Sequence, residues 1–91
     1  MKIYNTEHYW NEVAEHISNR SDNKLIAGDD EPYYRYKRNL FLKLIDKIDY
    51  KDKIILEVGC GPGGNLKYLY NKGCKNLFGV DISSKMIALA E

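Results

Sequence analysis

Lys53-Ile54-Ile55-Leu56-Glu57-Val58-Gly59-Cys60-Gly61-Pro62-Gly63-Gly64 is the stretch on which the fold turns. Its first six residues form a short, nearly continuous apolar run, the pattern of a strand covered on both faces, so a central parallel strand is expected. The glycines then make a turn. Residues 65–72 carry Leu66, Leu69 and Tyr70 at helical spacing, and Gly73 is placed to stop that helix.

Downstream, Asn76-Leu77-Phe78-Gly79-Val80 reads as a second strand ending at Asp81. Ser83 or Ser84 can cap a last helix bearing Met86, Ile87, Leu89 and Ala90. A strand-helix-strand crossover in a parallel sheet is right-handed in nearly all cases, so the glycine turn and the tip of the second strand meet at one sheet edge. Such an edge is where open α/β sheets bind ligands.

Upstream, Pro32 sits where a first helical position is expected. Tyr33/Tyr34, Lys37, Leu40/Phe41, Leu44/Ile45 and Ile48 follow as one stripe at 3.6-residue spacing, predicting a helix whose aliphatic half packs on the sheet. Asp49-Tyr50-Lys51-Asp52 makes the turn out of it. Thr6 or Asn5 can cap an earlier helix with Tyr9, Trp10, Val13, Ala14 and Ile17 on one face. The polar stretch between the two helices reads as a loop anchored by Leu25-Ile26-Ala27. The expected organisation is a helix and loop over residues 1–32, followed by an α/β unit over 33–91.

The chain has 91 residues, 44% hydrophobic and 30% charged, with a formal net charge of +1. That balance suits a globular protein and gives no electrostatic footprint for nucleic acid or a membrane surface. The start has no apolar leader and no run approaches the roughly 18 residues of a spanning helix, so a cytoplasmic location is expected. Two cysteines, Cys60 and Cys74, offer neither a disulfide frame nor a metal site, and no metal is expected.

Glycines are needed in the turn because side chains would block the backbone from approaching a ligand, and because some turn positions require positive φ. Asp81 lies 22 positions after Gly59, near the spacing at which an acid at the second strand's tip accepts hydrogen bonds from a ribose diol. A nucleoside ligand is implied. Gly59, Gly61 and Gly64 fit the dinucleotide pattern GxGxxG, whereas Gly59, Gly61 and Gly63 fit GxGxG. Glu57 breaks the tie, because a carboxylate two residues before the first glycine repels a pyrophosphate and attracts an ammonium and a sulfonium. Pro62 removes one N–H that would serve a phosphate.

Ile55-Leu56-Glu57-Val58-Gly59-Cys60-Gly61-Pro62-Gly63 resembles motif I of the class I (Rossmann-like) S-adenosylmethionine-dependent methyltransferases. Gly79-Val80-Asp81-Ile82-Ser83-Ser84-Lys85-Met86-Ile87 resembles the stretch that follows in that family. The resemblance covers residues 53–91 and extends to the preceding helix. It implies a partial Rossmann-like parallel sheet of two βα units, preceded by two N-terminal helices, and S-adenosyl-L-methionine as cofactor. Glu57 would orient the methionine amino group, Gly59, Gly61 and Gly63 would let the cofactor lie on the turn, Asp81 would bind the ribose, and Ile82 would touch adenine.

In that family, segments before the first strand often close over the cofactor. By that resemblance Tyr33, Tyr34 and Arg35 would face the methionine carboxylate or the substrate, although the same residues also satisfy amphipathic packing. The third- and fourth-strand regions, which supply adenine recognition and most acceptor-side groups, are missing, so no catalytic residue is assigned. Two strands leave apolar faces and an open edge, and a homo-oligomer or companion chain is expected to complete the sheet if 91 residues are the whole product. The even charge favours a small-molecule acceptor. The alternatives are a non-catalytic nucleoside-binding or assembly subunit, and an NAD-type oxidoreductase fragment.

Overall fold

The computed structural model describes residues 5–20 and 31–91. The Leu25-Ile26-Ala27 anchor and the acids Asp29 and Asp30 lie outside the described residues. The element order is α1 (Thr6–Ser18), α2 (Pro32–Ile45), β1 (Ile54–Val58), α3 (Gly64–Asn71), β2 (Asn76–Val80) and α4 (Ser84–Ala90). This is an α/β chain with a partial Rossmann-like sheet: β1 and β2 run parallel, with Ile54 opposite Asn76, Glu57 opposite Gly79 and Val58 opposite Val80.

Local chemistry accounts for where the elements begin and end. Asn5 caps α1 by accepting the His8 N–H at 2.9 Å. Pro32 opens α2, where its missing N–H costs nothing. Lys51 N–H donates to the Asp49 carboxylate at 3.1 Å in the turn before β1. Gly73, at φ 101°, ends α3, and Ser83 Oγ caps α4 by accepting the Met86 N–H at 3.1 Å.

The core is divided in two. Leu42 and Ile45 of α2 and Leu69 of α3 pack with Cys74, against Ile55 and Leu77 on one face of the sheet and against Tyr50 and Tyr68. The Tyr50 hydroxyl donates to the Ile45 carbonyl, and the Tyr68 hydroxyl donates to Asp46 at 2.5 Å, tying α3 to the end of α2. The second cluster, Ala14, Ile17 and Met86 with Val13 and Leu89, holds α1 against α4. Lys85 pairs with Glu15 at the edge of that contact.

Two expectations need correction. The strands are covered on one face only: Ile55, Glu57, Leu77 and Gly79 are half-buried, while Ile54, Leu56, Val58, Phe78 and Val80 are exposed, Val58 by 80%. Among the described residues no layer covers that second face, so the apolar run shows an alternating burial pattern. The buried face of α2 also differs from the expected stripe. Leu42 and Ile45 meet the sheet, whereas Leu40, Leu44 and Ile48 are exposed and Phe41 faces a cleft. Of α2, only Leu42 and Ile45, near its end, join the cluster on the sheet.

Candidate functional site

The carboxyl ends of β1 and β2 open into a cleft of about 850 Å³. Its floor is the turn of residues 58–65, one wall is the tip of β2 with Asp81, Ile82 and Met86, and the other wall comes from α1 and α2 through Trp10, Tyr34, Lys37, Arg38 and Phe41. The parallel pairing generates this geometry, because both chains leave the sheet on the same side.

Gly59, Gly61 and Gly63 have φ of 74°, 55° and 91°, a region that side-chain-bearing residues rarely adopt. Gly64 instead opens α3. All three glycines of the GxGxG pattern thus take positive φ. A Cβ at Gly59 or Gly61 would meet nothing within 4 Å, so the turn's backbone faces open space. The turn is held from β2: Gly59 and Cys60 N–H groups both donate to the Val80 carbonyl, at 2.7 and 3.0 Å.

Asp81 completes that anchorage. Its Oδ2 accepts the Gly61 N–H at 2.9 Å and its Oδ1 accepts the Ser83 N–H at 2.8 Å. A single carboxylate thus joins the glycine turn to the start of α4, and each oxygen retains a lone pair that can accept a hydroxyl. Ser83 is itself fully buried and donates through Oγ to Asn11 Oδ1 at 2.5 Å, which brings α1 to the same corner.

Glu57 points to the helix-covered side of β1. Its Oε2 accepts from Asn65 Nδ2 at 2.8 Å, while Oε1 is buried with no hydrogen-bond partner. Burial raises its carboxyl above the usual range, and the Asn65 hydrogen bond opposes that shift. Burial, and next the nearby Asp81 and Glu57 carboxylates, also push the Cys60 thiol up, so it lines the cleft as a protonated, small apolar group.

All the residues expected to hold a ligand except Gly63 line the cleft: Glu57, Gly59, Gly61, Asp81 and Ile82. Gly63 is the left-handed N-cap of α3, and a Cβ there would approach Ala90 Cβ to 3.3 Å. Of the expected lid residues, Tyr34 lines the cleft and Tyr33 and Arg35 do not. The arginine that does is Arg38, one turn later. Trp10, Phe41, Arg38 and Asn65 went unassigned in the sequence, although Tyr34, Arg38 and Phe41 share one helical face by their spacing. Gly79 was read only as part of a strand. A Cβ there would come within 2.7 Å of Leu66 Cδ1 and 2.8 Å of Cys60 Sγ, so its smallness lets β2 approach the turn and α3.

Residues 55–91 match the family profile of a methyltransferase domain. An uncharacterised protein of Haemophilus influenzae is 42% identical over 41 residues, which are 45% of this chain and 16% of that protein. An mRNA cap guanine-N(7) methyltransferase of Candida glabrata is 41% identical over 44 residues, 48% of this chain and 11% of that enzyme. The similarity therefore spans less than a fifth of either relative. No solved structure matches the chain significantly.

Proposed function

We propose that residues 55–91, which match a methyltransferase-domain profile, are the cofactor-binding part of a class I methyltransferase domain and supply the S-adenosyl-L-methionine site of an enzyme methylating a small-molecule acceptor. The buried, unpartnered Oε1 of Glu57 beside an open glycine turn carries this reading. A buried carboxylate oxygen without a partner is costly, and a cationic ligand relieves that cost. A pyrophosphate would aggravate it, which sets the NAD-type reading aside.

The residues present fit the cofactor. Glu57 would accept from its ammonium, the Gly59 and Gly61 backbone leaves room for its body, Asp81 has lone pairs for the ribose hydroxyls, and Ile82 offers an apolar surface to adenine. When bound, the cofactor supplies an electrophilic methyl group on a sulfonium. This chain's contribution is to hold and orient it and, through Trp10, Tyr34 and Phe41, to screen it from water. The protonated Cys60 provides no nucleophile.

The small-molecule acceptor rests on the even charge, +1 overall. Similarity to the cap methyltransferase spans 48% of this chain and 11% of that enzyme and carries no acceptor with it. The proposal includes a cytoplasmic enzyme, and among the described residues no helix is long and apolar enough to cross a membrane. The uncovered sheet face of Ile54, Leu56, Val58, Phe78 and Val80 supports a further layer, contributed by more of the same polypeptide or, if 91 residues are the whole product, by a companion chain or a second copy.

Calorimetry on the full chain tests the cofactor. S-adenosylhomocysteine should bind, NAD should not compete, and Asp81→Ala should lose binding. Absence of binding, or displacement by NAD, overturns the reading.

A further inference from the structure

We propose that the cleft takes, beside the cofactor, a small aromatic acceptor that carries an anionic group, and that Lys37 selects for its charge. The inference rests on the cofactor reading above and names the substrate class that the same site fits. The cleft is divided by charge. Its two acids, Glu57 and Asp81, stand at the strand tips, whereas both of its bases, Lys37 and Arg38, come from α2. The α1 and α2 wall that carries these bases also carries Trp10, Tyr34 and Phe41.

That wall suits a different ligand from the one the glycine turn accommodates. Its three aromatic side chains offer apolar faces to a flat ring. It carries no acid, and among the described residues no carboxylate pairs with Lys37 or Arg38. The Lys37 ammonium lies over the rings of Tyr33 and Tyr34, 4.8 and 4.6 Å from their centroids, which steady it without neutralising its charge. An anionic ring meets an uncompensated cation there, whereas a cationic one is repelled. The acids offer a cationic acceptor little in return, since Asp81 is engaged by two backbone N–H groups and Glu57 serves the cofactor's ammonium. At about 850 Å³ the cleft lies in the upper part of the range of small-molecule sites, which leaves room for a second, small ligand.

Calorimetry on the full chain saturated with S-adenosylhomocysteine tests this with three phenols that differ in charge: 4-hydroxybenzoate, its neutral methyl ester and the cationic tyramine. Trp10 is the chain's one tryptophan, so quenching of its emission reports that a probe has entered the cleft. 4-Hydroxybenzoate should bind about 5- to 20-fold more tightly than its ester, the worth of a partly exposed charged contact, and tyramine should bind most weakly. Lys37→Gln should bring the acid and the ester within about twofold of each other and leave S-adenosylhomocysteine affinity unchanged. Lys37→Arg should keep the preference for the acid. Phe41→Ala should weaken all three probes alike.

If no probe binds beside S-adenosylhomocysteine, if the ester or the amine binds as well as the acid, or if the preference survives Lys37→Gln, the acceptor class is wrong while the cofactor reading stands. If the unmodified chain does not bind S-adenosylhomocysteine, both fall. Thermal melts of each variant identify unfolding, and in that event the order of the three probes on the unmodified chain decides.

Discussion

Two carboxylates stand near the tips of neighbouring parallel strands and are held in opposite ways. Asp81 has both oxygens on backbone N–H groups, of Gly61 and Ser83, and so fastens the glycine turn to α4. Glu57 has one oxygen on Asn65 and the other buried with no partner. The first carboxylate is part of the scaffold, and folding satisfies it. The second is left incomplete by folding. The two acids thus differ in what folding leaves them: Asp81 anchors the turn and keeps lone pairs to spare, whereas Glu57 has an oxygen that only a ligand satisfies.

The comparison breaks most directly at Asp81. Asp81→Ala removes two charge-assisted hydrogen bonds, so stability should fall by about 2–4 kcal/mol in urea titrations. Asp81→Asn keeps an acceptor for one of the two N–H groups and should lose roughly half as much. An Asp81→Ala chain of unchanged stability would mean that the turn holds itself, and the scaffold role would be gone.

Gly79 lies opposite Glu57 in the register, behind the site. A methyl group there meets Leu66 and Cys60 within 3 Å, so Gly79→Ala should cost about 1–3 kcal/mol by overpacking. Gly61→Ala should cost about 1–2 kcal/mol from its φ of 55° alone, since its Cβ would meet open space. The sharper contrast lies in binding: the Gly61 variant loses ligand out of proportion to its stability, and the Gly79 variant does not.

Glu57→Gln tests the other carboxylate. Because burial raises the Glu57 pKa in the folded chain, the folded state holds this proton more tightly than the unfolded state does. Its favourable contribution is present below the ordinary value of 4.5, and is lost as pH rises through the higher folded value. Glu57→Gln should abolish this decline and leave stability at pH 7 unchanged or up to about 1 kcal/mol higher. Stability curves measured from pH 4 upward check it. A loss of stability at neutral pH would place Glu57 in the scaffold beside Asp81.

What the sequence made legible follows the range of each interaction. The strand at Asn76–Val80, the Pro32 start of α2, the Gly73 stop and the Ser83 cap depend on residues a few positions apart, and they were readable from propensity and spacing. Glu57, the glycine turn and Asp81 were readable as a pattern because a crossover brings the strand tips together. On α2 the expected stripe included Ile45, which is buried, but missed Leu42, because the same spacing also contains the cleft-facing Phe41 and only docking against the sheet selects among them. One-sided coverage of β1 was equally invisible, since an apolar run says what would tolerate burial and not what covers it. Asn11 on Ser83 joins positions 72 residues apart, with no local signal in either. Arg38 rather than Arg35 is a matter of one helical turn, fixed by how α2 meets the cleft.

Asn65 offers the smallest effect and the finest test. Its side-chain amide donates to Glu57 Oε2 and opposes the shift that burial imposes on the carboxyl. Asn65→Ala leaves both Glu57 oxygens without a side-chain donor, so the folded pKa should rise further and the pH-dependent decline should extend to higher pH. The stability cost near neutral pH should be about 0.5–1.5 kcal/mol, the net worth of one hydrogen bond. In the double variant Asn65→Ala/Glu57→Gln most of that cost should disappear, because the carboxylate that needed the donor is gone. Additive costs would show that Asn65 supports α3 independently of Glu57. Coupled costs would mean that Asn65 acts through the recognising carboxylate, favouring its ionised form.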